Sequence, residues 1–415
     1  MDSKLSMLKY YKSQIFYLKN LLNSIDPTED NLAPLFEIQQ YIIDRILNTE
    51  VKICVKKAEL KDLKTSLRTH TNGKKYSTEL KLKINNVNDS LAGYKFLLYV
   101  WRCFGDGIVF KYSSKWNLKR LFFEVNSSKV KQKAGYIGGK QGIYKELDIV
   151  KDALSNNIPA VLCDITNSLR HGDVCLLDKN DPHIIEVKSS SNTNKRVKRQ
   201  IESIDQIHSY LKNNIGDIGG VEKMRRVEFQ ENEVHHNSSI NEVIRALSKT
   251  NFYQTSPEPG LHYVGVKTGH NIDFNCLFNE VKEPVLYMLN EGKTDERWDN
   301  YYPFTLSIQS AESLYSFLSG KIFLFVVVDG AILKKMFKEN GYDLEIVMTE
   351  DAGFVYSKIV NGYKEPFYFM SSEHLVGRLG FEFISLEWFL NKQKLMLKEM
   401  EHDLIIQVET TTKVN

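Results

Sequence analysis

The sequence predicts an α/β protein of two or three domains, and three observations predict it. Apolar residues of the first hundred positions recur at helical spacing. From Ile143 the order becomes helix, three strands, helix, strand. Beyond about residue 270, strand and helix patterns alternate again. A length of 415 residues is too great for one ordinary core.

In the first segment, Leu5, Leu8, Ile15, Leu18 and Leu22 form one helical stripe, and Asp26-Pro27 closes it. A second helix is expected over Phe36–Leu47 and a third over Ser90–Cys103. The glycines of Gly105-Asp106-Gly107 read as a turn that ends the third. Ile108–Tyr112 and Arg120–Val125 then read as strands, followed by a basic, glycine-containing loop over Lys129–Gly142. That loop invites a phosphate-loop reading, but its spacing fails the nucleotide-binding pattern, and Gln141 stands where Ser or Thr is needed. It reads as a flexible basic loop.

Ile143–Leu154 is an amphipathic helix with the stripe Ile143, Leu147, Val150 and Leu154. Glu146 lies at the border of that stripe. Ala160–Ile165, Asp173–Asp178 and His183–Ser189 read as strands, the last two joined by the turn Lys179-Asn180-Asp181-Pro182. Val197–Leu211 is a second amphipathic helix, with Gln200 bordering its apolar stripe. Arg225–Phe229 and Leu261–Lys267 complete the unit. After a linker placed at Gly269–Glu283 come a buried strand at Lys321–Asp329, a helix at Ala331–Asn340 and paired strands at Tyr342–Met348 and Phe354–Val360. The tail after Gln407 reads as frayed. The domains are therefore drawn at 1–130, 131–270 and 271–415.

Chemistry concentrates at the expected hairpin. A four-residue turn sets Asp173 opposite Lys188 and diagonal to Glu186, all three on one face because strand side chains alternate. Val174, Leu176, Ile185 and Val187 suit a core on the other face. Two carboxylates held close together repel unless they are protonated or share a cation. Magnesium takes one or two carboxylates plus water and substrate phosphate, lowers the pKa of water and neutralises charge on phosphorus. Lys188 beside it can orient the attacking water. Glu146 can reach over the sheet edge as a third acid. Lys195, Lys198 and Arg199 face away from the helix stripe, open to backbone phosphates, and Arg196 is expected to join them in contacting the backbone. Arg170 and Lys140 are further phosphate candidates.

Asp173 followed by Glu186-Val187-Lys188 resembles the PD-(D/E)xK nuclease superfamily over about residues 140–270. Glycine stands before the aspartate where that family's name has proline. The resemblance implies a restriction-endonuclease-like αβββαβ core between a mainly helical N-terminal region and a C-terminal α/β region. It implies a magnesium-dependent endonuclease, with manganese as an alternative ion. Asp173, Glu186 and Glu146 would be the metal ligands, and Lys188 and Gln200 the assisting catalytic residues. DNA is expected as substrate ahead of RNA. A common nuclease core with unfamiliar flanks is similar to effectors of prokaryotic antiviral defence. The flanking domains would recruit a protein or ligand partner or support a homo-oligomer. Two other classes stay open: a catalytically inactive nucleic-acid-binding module, and a ligand-binding signalling or assembly protein.

Other features narrow the class. Net charge is only +3, with lysine and arginine dense over Lys111–Lys140 and Lys195–Arg199. Ile322–Val328, the longest dense apolar run, is too short to span a bilayer, and the first residues show no signal-peptide core. Five scattered cysteines without a CxxC pair suit reduced thiols, and a cytoplasmic protein without membrane contact is expected. His235-His236 read as exposed loop residues and His171 as a turn histidine. The aromatics of Phe104–Tyr112 and Phe122-Phe123 read as core. Asp329, at a strand end before a helix, reads equally as a ligand group or as a cap.

Overall fold

The computed structural model describes residues 7–71, 73–140, 142–177, 181–187, 195–226, 232–270, 281–292, 301–349, 352–360 and 362–412, without the side chains of 196, 292 and 406–412. It is mixed α/β, with a helical N-terminal region and small antiparallel sheets. The chain divides into two compact units, Met1–Phe229 with Thr294–Ser319, and Gln230–Lys293 with Gly320–Asn415.

The first unit is built on helices α1 (Lys12–Ser24), α2 (Ala33–Thr69) and α3 (Lys74–Tyr112). Residues 96–110 of α3 are buried on every side, so this half of α3 is the unit's central helix. It runs straight through Gly105-Asp106-Gly107, where the sequence suggests a turn and then a strand. The glycines serve close packing instead. A Cβ on Gly105 would lie 2.1 Å from the carbonyl oxygen of Ile165, and one on Gly107 would lie 2.6 Å from Leu22. The expected strand at Arg120–Val125 is likewise absent. A short helix α4 (Lys115–Lys119), turns and a single bridge, Phe123 to Val130, occupy that stretch.

The outer halves of α2 and α3 pair with each other. Positions that are at least half-buried include Ile53, Leu60, Leu63 and Leu67 on α2 and Leu80, Ile84 and Val87 on α3. Their alternating three- and four-residue spacing is that of an antiparallel coiled coil.

Beyond the basic loop, α5 (Ile143–Ser155) packs on a three-stranded antiparallel sheet. Its order is β1 (Ala160–Leu162), β2 (Val174–Leu176), β3 (His183–Ile185). Both edges of the sheet are covered by side chains. Gln39 of α2 donates to the Ala160 carbonyl at 2.9 Å and accepts from the Leu162 amide at 3.0 Å. On the far edge His208 of α6 (Lys195–Asn213) accepts from the Ile184 amide at 3.1 Å. The strand after α6 does not join this sheet. β4 (Ile215–Ile218) and β5 (Val221–Arg225) form a hairpin of their own, which departs from the expected order. Of the expected strand Arg225–Phe229, Arg225 ends β5 and Arg226 lies outside it; 227–231 lie outside the described residues.

In the second unit, β6 (Phe252–Glu258), β7 (Leu261–Lys267), β8 (Pro284–Met288) and β9 (Ile322–Asp329) form an antiparallel sheet in the order β6-β7-β9-β8. The expected domain boundary after residue 270 falls inside this sheet, because β7 pairs with β9 along its length. The expected linker therefore joins strands of one sheet, and its residues 271–280 lie outside the described set. Helix α7 (Asn237–Ala246) covers β6 and β7, and Gly265 leaves room for Val243 and Leu247. Asp329 caps α8 (Gly330–Lys338), its carboxylate accepting from the Ala331 amide at 2.9 Å. Strands β10 (Asp343–Ile346), β11 (Phe354–Lys358) and β12 (Phe367–Ser371) form a further sheet, followed by α9 (Glu373–Phe381) and α10 (Leu386–Thr412). The tail after Gln407 thus continues a helix to Thr412. His235 and His236 are not exposed: they are half-buried, with Glu233 at 3.0 Å and Glu258 at 2.5 Å respectively. Among the described residues no helix is long and apolar enough to cross a membrane.

Candidate functional site

The β2–β3 register pairs Leu176 with His183, Cys175 with Ile184 and Val174 with Ile185. The connection is therefore longer by two residues than the expected four-residue turn. Continued by one pair, this register sets Asp173 opposite Glu186, not Lys188. The ladder does not continue, however: it ends at Val174 and Ile185, and the Asp173 amide turns to the Ile185 carbonyl, so side-chain alternation does not carry on to Asp173 and Glu186. Within the paired strands Cys175 and Ile184 on one face and Val174 on the other are buried, so the sheet is covered on both sides.

Asp173 stands where the ladder ends. Its amide donates to the Ile185 carbonyl at 2.9 Å, while its carboxylate takes the Val187 amide at 2.8 Å. Gly172 makes this possible. Its φ is +66°, and a Cβ there would lie 2.2 Å from Ile184. Proline cannot adopt a positive φ, which gives the glycine before this aspartate a physical reason.

Glu146 enters from α5. It is one of that helix's three buried residues, with Ile143 and Val150, so it sits within the buried stripe and not at its border. Burial and the nearby Asp173, Asp164 and Glu186 push its pKa up to about 7, against an opposing pull from Lys140. Its Oε2 is buried and has no hydrogen-bond partner among the described residues. Burial also raises the Asp173 carboxyl, with Asp164 adding to the shift and the Val187 amide and Lys140 opposing it. Three acids thus act on Glu146 at the end of a small sheet.

Sequence reasoning missed Asp164, which follows β1 in a single 3-10 turn and is ion-paired with Lys140. An aspartate closing a short apolar strand was the available signal. It also missed what holds the basic loop. Glu50 of α2 accepts the Ile137 amide at 3.0 Å and the Gly138 amide at 2.7 Å, and Arg102 of α3 donates to the Gly135 carbonyl at 3.0 Å. This part of the loop is clamped, and the clamp delivers Lys140 to the acids.

The remaining candidates are placed differently. Arg170 is buried. It donates to the carbonyls of Asn167 and Lys131 and its guanidinium lies 4.0 Å from the Phe122 ring centroid, so it braces the chain instead of facing a phosphate. His171 is buried between the Phe123 carbonyl at 3.0 Å and Lys131 at 2.9 Å; burial and Lys131 lower its pKa to about 4. Lys131 in turn feels Glu186, beside Glu124. Gln200 is half-buried on α6, and among the described residues no hydrogen bond joins it to the acids. Lys195, Lys198 and Arg199 are exposed on the same helix, as expected. Lys188 and the side chain of Arg196 lie outside the described residues.

The donor set fits a hard divalent cation in chemistry: carboxylate oxygens, one of them buried and unpartnered, mutually repelled in the absence of positive charge. It is not a closed cage, since among the described residues no three acidic, histidine or cysteine side chains converge as a ready metal site. A cation would be held by two carboxylates, with water and substrate completing its shell. Comparison with family models, curated proteins and solved structures finds no match for this chain.

Proposed function

We propose that the protein is a metal-dependent phosphodiesterase, an endonuclease with DNA as substrate, on a restriction-endonuclease-like core. One observation carries the reading: Glu146 is buried with an unpartnered oxygen, and burial together with the charges of Asp173, Asp164 and Glu186 raises its pKa. Burying like charges together is costly, and a bound divalent cation removes that cost. Magnesium or manganese there would activate water and offset charge developing on the phosphate. Asp173, oriented by the Val187 amide, and Glu146 would hold the ion, with Glu186 across the strand pair as the third acid. Lys140, pinned to Asp164, would steady the anionic substrate, and Lys188 would orient the attacking water. Lys195, Lys198 and Arg199, with Arg196, would take backbone phosphates. A role in antiviral defence belongs to this proposal as an analogy of architecture.

The test is incubation with supercoiled plasmid, linear duplex, single strands and RNA, in magnesium, manganese or EDTA. Metal-dependent cleavage of DNA is expected, falling at least a hundredfold in Asp173→Ala and Lys188→Ala. Equal cleavage by the wild type and both variants would contradict it. The open geometry of the acids favours one second reading, a core that binds nucleic acid without cutting it. Tight, metal-independent binding with no cleavage under any condition selects that reading.

A further inference from the structure

We infer that the coiled-coil arm formed by the outer halves of α2 and α3 is a docking surface for the sugar-phosphate backbone of duplex DNA. The arm extends about sixteen residues beyond Ile53 on α2, or about 24 Å at 1.5 Å per residue. Its buried seam fixes the faces. In an antiparallel pair, the positions one residue beyond each seam position fall on the same side of both helices. On this arm that side carries Lys57, Lys61, Lys64, Arg68, Lys74 and Lys81, all exposed, and no acid. The arm's acids, Glu59, Asp62 and Glu79, lie on the opposite side, where Lys52 and Lys83 balance them.

A solvated coiled coil ordinarily sets opposite charges across its flanks, which adds a little stability. Here lysine faces lysine across one flank, an arrangement that costs the arm a little stability and that an external polyanion would offset. The basic side is also continuous with the candidate site. Lys57 donates to the Tyr136 hydroxyl at 3.0 Å, in the loop that Glu50 clamps and that carries Lys140 to the acids. Single-strand binders stack bases on aromatic platforms. The exposed aromatic of the arm proper is Tyr76, on the acidic side, so phosphate contact with a duplex is the chemistry this face offers. The choice of DNA rests on the proposed function; the arm's binding does not depend on cleavage.

The test measures binding of a fluorescent DNA duplex to the full chain in EDTA, over a range of salt. The fourfold variant Lys61→Gln, Lys64→Gln, Arg68→Gln, Lys81→Gln is compared with a control, Lys75→Gln, Lys83→Gln, Lys335→Gln, Lys338→Gln. Circular dichroism verifies that each keeps its helix. The arm variant is expected to bind at least tenfold more weakly at about 0.1 M salt, with the salt slope flattened by roughly 0.9 per lost contact. The control is expected to bind as wild type does. Unchanged affinity and slope in the arm variant, an equal loss in the control, or tighter binding of single strands than of duplex each overturns the inference. Wild type that binds through the arm yet never cleaves sinks the nuclease reading alone. Cleavage that persists while arm neutralisation leaves binding intact sinks the arm alone.

Discussion

At the scale of single residues, Gly172 and Glu146 bear most of the account. Gly172→Ala forces a side chain into a left-handed backbone and against Ile184, and should cost roughly 2–4 kcal/mol in urea unfolding. A loss below about 0.5 kcal/mol would mean that the turn before Asp173 is looser than described. Glu146 supplies a pH signature. Its pKa rises from the ordinary 4.5 to about 7 on folding, chiefly by burial. The neutral carboxyl therefore contributes stability fully below about pH 4.5, and that contribution is lost as pH rises to about 7. In EDTA, Glu146→Gln should gain on wild type by on the order of 2 kcal/mol between about pH 5 and pH 8; a pH-independent difference in unfolding free energy would contradict the placement of Glu146. That Asp173 and Glu186 both act on Glu146 agrees with the expected grouping, while the expected pairing of Asp173 with Lys188 does not hold, because the connection is longer by two residues. Lys131 and the bracing role of Arg170 were not legible. Each depends on which segment comes to lie beside it, and local sequence does not encode that.

Among elements, the basic loop shows the same division. Its lysines and glycines were visible in the sequence, but its anchors lie on α2 and α3, some ninety and thirty residues away in the chain. Glu50→Ala leaves the Ile137 and Gly138 amides without their carboxylate and should cost about 3 kcal/mol. Hydrogen exchange should quicken at those two amides and at Lys140. Protection equal to wild type would show that the clamp is incidental. Helix α3 teaches a second lesson. Gly105 and Gly107 carry the composition of a turn, yet they lie in a helix whose neighbours approach too closely for any side chain. Asp106 between them is not a turn residue either. Its carboxylate accepts from the Asn167 and Ser168 amides at 2.9 and 2.8 Å, and so fixes the segment that leads to Asp173. Local propensity lost to tertiary packing at this point.

For the whole molecule, the succession of elements was largely readable and their partnership was not. The strand pattern at Leu261–Lys267 was plain, but its pairing with Ile322–Asp329 joins segments more than fifty residues apart, and it moved the boundary of the second unit. Likewise β4 carries the right position in chain order for a nuclease-like sheet and pairs elsewhere. The central claim does not depend on that strand. It is that Glu146 and Asp173 together hold a divalent cation. Manganese binding by calorimetry tests it most directly, with wild type, Asp173→Asn and the double variant Glu146→Gln, Asp173→Asn. The account predicts one site in wild type whose affinity rises about tenfold from pH 6 to about pH 8, as the proton on Glu146 is displaced, and which the double variant lacks. Manganese binding in the double variant equal to that of wild type, or none in wild type at pH 8, would contradict it.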